Sequence, residues 1–174
     1  MCYSAKAKAD LKELATMERA KVDLEAFEKL FEARLTQKID IPRAIETNFN
    51  LPASPAEKRI RELIETWREL QLKEHTEGLA KQEARLADAE LKLARKETAT
   101  ALKDKCIATE KISWHKHKLE NVNRVERKES DDRFYPKWCA PVVVLEGNAR
   151  VIRPMRYLRR PENLPEYLMV DGKR

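Results

Sequence analysis

A cysteine stands second in the chain, in Met1-Cys2-Tyr3-Ser4-Ala5, so loss of one methionine exposes an N-terminal cysteine. Such a residue carries an α-amine of pKa about 7.7–8.0 and a thiol of about 8.5 on adjacent carbons, both partly nucleophilic near neutral pH. Together they trap an aldehyde: the amine forms a Schiff base and the thiolate closes a five-membered thiazolidine ring. Position alone also admits a cysteine that merely follows the initiator, so the neighbours of Cys2 must decide.

The other reactive side chains point away from familiar chemistries. Cys106 and Cys139 complete an odd, widely spaced set of three without C-x-x-C, which argues against a disulfide framework and a zinc knuckle and for a reduced, cytoplasmic setting. His115-x-His117 lies in a helical stretch, where residues two apart point about 200° from each other and cannot share an ion. These read as surface histidines, Cys106 reads as packed or idle, and neither a metal nor a cofactor is expected. No Ser/His/Asp spacing, H-E-x-x-H or glycine-rich phosphate loop is present, so hydrolase and nucleotide-binding motifs are missing. No signal-like h-region stands at the start, and no apolar run approaches the roughly 18 residues of a membrane span.

Charge is unevenly spread. The net charge is +6, of which residues 133–174 carry +5, with nine Lys/Arg against four Asp/Glu. The same segment holds five of the eleven aromatics: Phe134, Tyr135, Trp138, Tyr157 and Tyr167. Cations for phosphates and rings for bases are what a single-stranded nucleic-acid surface needs. A basic sheet edge over an aromatic core would have the same composition, and Arg156 and Tyr157 read equally as an edge-strand ion pair and a packed ring.

The elements that must position these residues follow from the pattern. Charged residues make up 38% and only three glycines occur, which favours long solvated helices. Residues 1–53 form an N-terminal segment with two short helical stretches, the second capped by Asp23 with Leu24, Phe27, Leu30 and Phe31 on one face. Ile39 to Pro52 reads as a connecting segment between two prolines. At Ser54 a capping box, Ser54-Pro55-Ala56-Glu57, opens a helix unbroken to about Lys96 except by Gly78. Leu72, Leu79, Leu86 and Leu93 recur every seven residues, but the partner stripe is His75, Gln82 and Ala89, so a self-standing parallel zipper is not expected. A second helix from Ala99 to about Arg127 has Ile107, Trp114, Leu119, Val122 and Val125 as its expected buried side. Residues 54–128 thus read as an antiparallel helical hairpin. In residues 129–174, Ser130-Asp131-Asp132 ends the helices and Ala140–Glu146 reads as a strand. Gly147-Asn148 supplies a type II′ turn, and Ala149–Tyr157 returns with Pro154 at an edge or bulge. Two strands are only marginally stable alone, so further strands should complete the sheet. The fold class is α+β, helix-dominated.

The opening Met1-Cys2-Tyr3-Ser4-Ala5, the segment Arg133-Phe134-Tyr135-Pro136-Lys137-Trp138-Cys139-Ala140-Pro141-Val142-Val143-Val144 and Arg153-Pro154-Met155-Arg156-Tyr157 occur in the order and style of one family. The chain resembles the SOS response-associated peptidase (SRAP) family of abasic-site processing proteins. More narrowly, it is similar to a subgroup with a long helical insertion in a mixed β core. The resemblance implies that Met1 is removed by the protein itself. Cys2 would then capture the ring-opened aldehyde of an abasic site in single-stranded DNA as a thiazolidine crosslink. It implies a DNA-facing surface from Arg133 to Tyr157, with Arg156 contacting phosphate. Trp138 is a ring contact or, alternatively, a core residue.

The family's Asn-Ala-Arg motif, catalytic Glu and catalytic His should follow the Pro-Met-Arg hairpin, and none can be assigned before Arg174. The Asn148-Ala149-Arg150 triplet stands in the turn before Pro154 and is read as coincidence. A truncated core with weak or absent activity is the expectation. From a different class, a helical scaffold whose hairpin binds an unidentified partner, with Cys2 incidental, is the competing reading.

Overall fold

The computed structural model describes residues 5–6, 10–126 and 128–157. Two compact units emerge: Met1–Leu63 with Lys128–Arg174, and Ile64–Arg127. The architecture is α+β and helix-dominated, with a small mixed sheet. Among the described residues, no helix is long and apolar enough to cross a membrane.

The first unit starts with strand β1 (Ala5–Lys6), helix α1 (Leu11–Glu18), strand β2 (Lys21–Val22) and helix α2 (Leu24–Thr36). Asp10 caps α1 by accepting from the Glu13 amide at 2.9 Å, and Asp23 caps α2 by accepting from the Ala26 amide at 3.0 Å. Each cap satisfies an amide that the first helical turn leaves without a partner. Asp23 also joins two elements, because its second oxygen accepts from Arg153 Nε at 2.6 Å and its amide donates to the Ile152 carbonyl at 3.0 Å. Its carboxyl is held below the usual range, chiefly by the Ala26 amide and then by Arg153, against the opposing effect of burial.

Ile39–Pro52 is not the simple connection its prolines suggest. It carries helix α3 (Arg43–Glu46) and a 3₁₀ turn (Thr47–Phe49), and it contributes Ile41, Pro42, Ala44, Ile45 and Phe49 to the core. Phe49 lies between Phe27 and Phe31 of α2, with ring centroids 6.0 and 5.8 Å away. The Asn48 amide group donates to the Ala44 and Ile45 carbonyls and accepts from the Leu11 amide at 2.8 Å, tying α1 to this turn. Arg34 and Glu46 form a buried ion pair at 2.6 Å. Short helical pieces give no readable period, which is why this segment resembles a linker in sequence.

After a 3₁₀ turn (Glu129–Asp132) come β3 (Arg133–Phe134), β4 (Cys139–Glu146) and β5 (Ala149–Arg156). β4 and β5 pair antiparallel from Cys139↔Arg156 to Glu146↔Ala149. Gly147 has φ +58°, while Asn148 is not among the residues of positive φ, as a type II′ turn requires. β2 adds in parallel on the other side of β5, giving the order β2-β5-β4. β2 covers only Val151 and Ile152, so Pro154, with no amide hydrogen to donate, lies beyond the paired stretch on that side. β1 pairs antiparallel with β3 in a separate two-stranded ladder, Ala5↔Phe134 and Lys6↔Arg133. These two-residue strands are too short to be legible in sequence.

Helix α4 (Pro55–Arg95) begins in the first unit and continues through the second. Its 41 residues correspond to about 62 Å at 1.5 Å each. The capping box is formed: Ser54 Oγ accepts from the Glu57 amide, and Glu57 accepts from the Ser54 and Ala53 amides. In the second unit α4 is followed, after residues 96–98, by α5 (Ala99–Asn123), capped by Thr98. Arg85–Asp104 at 2.6 Å and Lys105–Glu90 at 3.0 Å fix the two helices as antiparallel. Of the expected α5 face, Ile107, Leu119 and Val122 are half-buried. The fully buried residues are Ala101 and Ala108 instead, Trp114 is 49% exposed, and Val125 is 95% exposed beyond the helix end. The α4 stripe His75, Gly78, Gln82 and Ala89 carries one imidazole, one carboxamide and two small residues, and on α5 the small Ala101 and Ala108 are the buried ones.

Candidate nucleic-acid interface

Cys2 lies outside the described residues, so its surroundings are approached from the strand that follows. β1 begins three residues after Cys2 and is hydrogen-bonded to β3, which leads directly into Tyr135-Pro136-Lys137-Trp138. Those four residues form a tight turn. The Trp138 amide donates to the Tyr135 carbonyl at 3.0 Å, Pro136 takes the position where its fixed φ is favourable, and Lys137 has φ +78°. This is a type II turn whose third position normally takes glycine. A lysine there costs on the order of 1 kcal/mol. The turn is held from outside, since the Lys137 amide donates to the Tyr157 carbonyl at 2.6 Å and the Tyr157 amide to the Trp138 carbonyl at 2.7 Å.

The result is a small surface of rings and cations. Tyr135, 40% exposed, meets half-buried Trp138 edge to face, with centroids 5.0 Å apart at 64°. Tyr157, half-buried, sits across the backbone bridge just described. Arg156 and Lys137 are exposed, and neither forms an ion pair among the described residues. Arg133, also exposed, stands at the start of β3, followed by fully buried Phe134. Thus Arg133, Trp138, Arg156 and Tyr157 all belong to the same unit, and the last three come together at one end of the β4–β5 hairpin.

Among the described residues, two other cations that raised the local charge in sequence are already engaged. Arg150 pairs with Glu18 at 3.0 Å, and Arg153 pairs with Asp23 and with Glu146. Lys137 and Tyr135, which lie within the Arg133–Tyr157 stretch but were not singled out in sequence as site residues, are exposed at this turn. The available signal was Pro136, which marks a turn that would present the residues beside it.

Cys139 is not a second nucleophile. It is buried, its amide donates to the Asp40 carbonyl at 3.1 Å, and burial pushes its thiol above the usual value despite Arg156 and Arg34 nearby. A thiol with a raised pKa is mostly protonated at neutral pH and reacts slowly. Cys106 is exposed, with Sγ 3.8 Å from Glu110 Oε1.

The reading of His115 as a surface residue needs correction, and His75, from the α4 seam stripe, lies beside it. His117 is exposed, but His115 is half-buried and His75 is only 4% exposed, edge-on to Trp114 at 5.2 Å and 5.5 Å from the His115 ring. Among the described residues, no group of three or more His, Cys, Asp or Glu could hold a metal ion.

Comparison with protein-family models, curated proteins and solved structures finds no match to this chain.

Proposed function

We propose that this protein captures abasic sites in single-stranded DNA through Cys2 after hydrolysis of the Met1–Cys2 bond. The α-amine adds to the aldehyde carbon of the ring-opened sugar, and water leaves to give the imine. The Cys2 sulfur then bonds to the imine carbon while its proton passes to nitrogen, closing the thiazolidine. No oxidant or cofactor enters the balance. At pH 7 about a tenth of an α-amine of ordinary pKa is already neutral, so the amine needs little activation.

One observation carries the reading. The segment that follows Cys2 is anchored by β1–β3 pairing to the strand that runs into the Tyr135–Trp138 turn, where the exposed Tyr135 ring, the half-buried Trp138 ring and cations without an ion pair among the described residues meet. Rings of this kind stack on bases without regard to sequence, and Lys137 and Arg156 suit the phosphates between them. In this reading Trp138, Tyr157, Arg156 and Arg133 bind the strand while Cys2 forms the bond.

Mass spectrometry of the purified chain incubated with an abasic-site oligonucleotide tests it. The expected adduct equals the mass of protein lacking Met1 plus DNA, minus one water, and it disappears in Cys2→Ala. A chain confirmed to lack Met1 that forms no adduct would sink the proposal. The scaffold reading would then stand ahead, favoured by exposed Leu91, Leu102 and Trp114 on the hairpin.

A further inference from the structure

The seam between α4 and α5 holds a feature that DNA capture does not use. Gly78 faces the His115 ring so closely that a Cβ built on it would fall 2.3 Å from Cε1 and 2.7 Å from Nε2. The glycine therefore serves as a seat for an imidazole. His75, one turn earlier on α4, packs edge-on against both Trp114 and His115, and Trp114 and His115 are themselves 4.8 Å apart. The Nδ1 atoms of His75 and His115 and Oε1 of Gln82 are buried without a hydrogen-bond partner.

We propose that His75 is a proton-operated latch of the α4–α5 hairpin: neutral, it packs into the Trp114–His115 layer; protonated, it loosens that layer and frees the two helices from each other.

Hydrogen bonding and charge both act in this direction. A neutral imidazole protonated on Nε2 leaves Nδ1 as an idle acceptor, at modest cost. The imidazolium must place a charged N–H donor at the same buried, partnerless position, which costs considerably more. The charged groups facing it from α5 are Lys118 and, when protonated, His115, both repulsive; on α4 only Glu74 opposes them. Burial outweighs Glu74 and holds the His75 imidazole below its ordinary value of 6.5. A group whose pKa is lower folded than unfolded takes up protons on unfolding. Its contribution to stability is therefore complete above about pH 6.5 and is lost as pH falls from there through the folded value.

Hydrogen exchange of the full chain at pH 7.5 and 5.0, corrected for intrinsic rates, tests the latch. Peptides covering 70–82 and 108–120 should lose protection at least about fivefold more than a peptide covering 139–156. In His75→Leu, which cannot titrate, that excess loss should vanish while hairpin protection at pH 5.0 rises above that of the unmodified chain. Equal losses in hairpin and sheet peptides, or an excess that persists in the variant, would overturn the proposal. Should the variant lose helicity at pH 7.5, imidazole NMR of the unmodified chain decides instead: a His75 signal titrating below pH 6.5 supports the latch, and one titrating at or above 6.5 rejects it.

Discussion

In the unit built from Met1–Leu63 and Lys128–Arg174, the fully buried side chains are large: Phe27, Phe31, Phe49, Phe134, Ile45 and Ile152. In Ile64–Arg127 the buried side chains are Ile64 at the unit's start and otherwise small or polar ones, Ala89, Ala101, Ala108 and His75, with half-buried leucines beside them. A buried Phe or Ile contributes about 1.5–3 kcal/mol relative to exposure, and an alanine only a fraction of that. The first unit ties its polar groups into the Asp23 and Asn48 networks and the Arg34–Glu46 pair, with Nε of Arg34 its one buried atom lacking a hydrogen bond among the described residues, whereas the hairpin has three such atoms, in His75, Gln82 and His115. The lesson is a division of stability. The unit carrying the candidate site buries the larger side chains and holds a lysine at positive φ, while the hairpin buries less apolar volume, the composition expected of elements that open at lower cost.

Substitutions sharpen this contrast. Phe49→Ala should have the largest effect, destabilising the chain by about 3–5 kcal/mol through the cavity left between Phe27 and Phe31, read as a lower urea midpoint. In the hairpin, Gly78→Ala is a test of sign. Helix propensity alone predicts a gain of about 1 kcal/mol. The His115 ring in the way predicts a net loss of about 1–3 kcal/mol by overpacking, and a stabilised variant would refute the seat.

Asp23→Ala should cost about 1 kcal/mol through loss of the α2 cap. Because the folded carboxyl titrates below its ordinary 3.8, that stabilisation is present above about pH 3.8 and fades as pH falls through the folded value. The gap between Asp23→Ala and the unmodified chain should therefore narrow in urea melts between pH 5 and 3.

The smallest effect on stability should come at the candidate interface. Lys137→Gly should stabilise by up to about 1 kcal/mol by relieving a positive φ. It should also weaken binding of undamaged single-stranded DNA and lower the salt slope by about 0.7, the signature of one lost phosphate contact. A variant that gains stability with no change in slope would mean that Lys137 faces no phosphate.

Much of the fold could be read locally. The Ser54–Glu57 capping box, the Asp23 cap and the Gly147-Asn148 turn depend on neighbours in sequence, and each forms where those neighbours place it. Segment 39–52 and the α5 face could not be read this way. Ile41, Ile45 and Phe49 are buried because α2 lies against them, and Ala101 and Ala108 because α4 presents its small and polar stripe. The site divides the same way. Cys2 and the basic-aromatic segment are visible as residue types, but which cations remain available depends on pairings such as Arg150–Glu18, between residues 132 positions apart.

The sequence by itself determined a cysteine at position 2, a long capped helix, a tight β-hairpin and an excess of cations and rings in residues 133–174. These are properties of single residues and of contacts within a few positions. Only the tertiary structure decided that β1 joins β3, that among the described residues Arg150 and Arg153 form ion pairs while Lys137 and Arg156 do not, and that His75 is buried. Those outcomes rest on groups distant in sequence competing for the same partner or the same space, which no local pattern encodes.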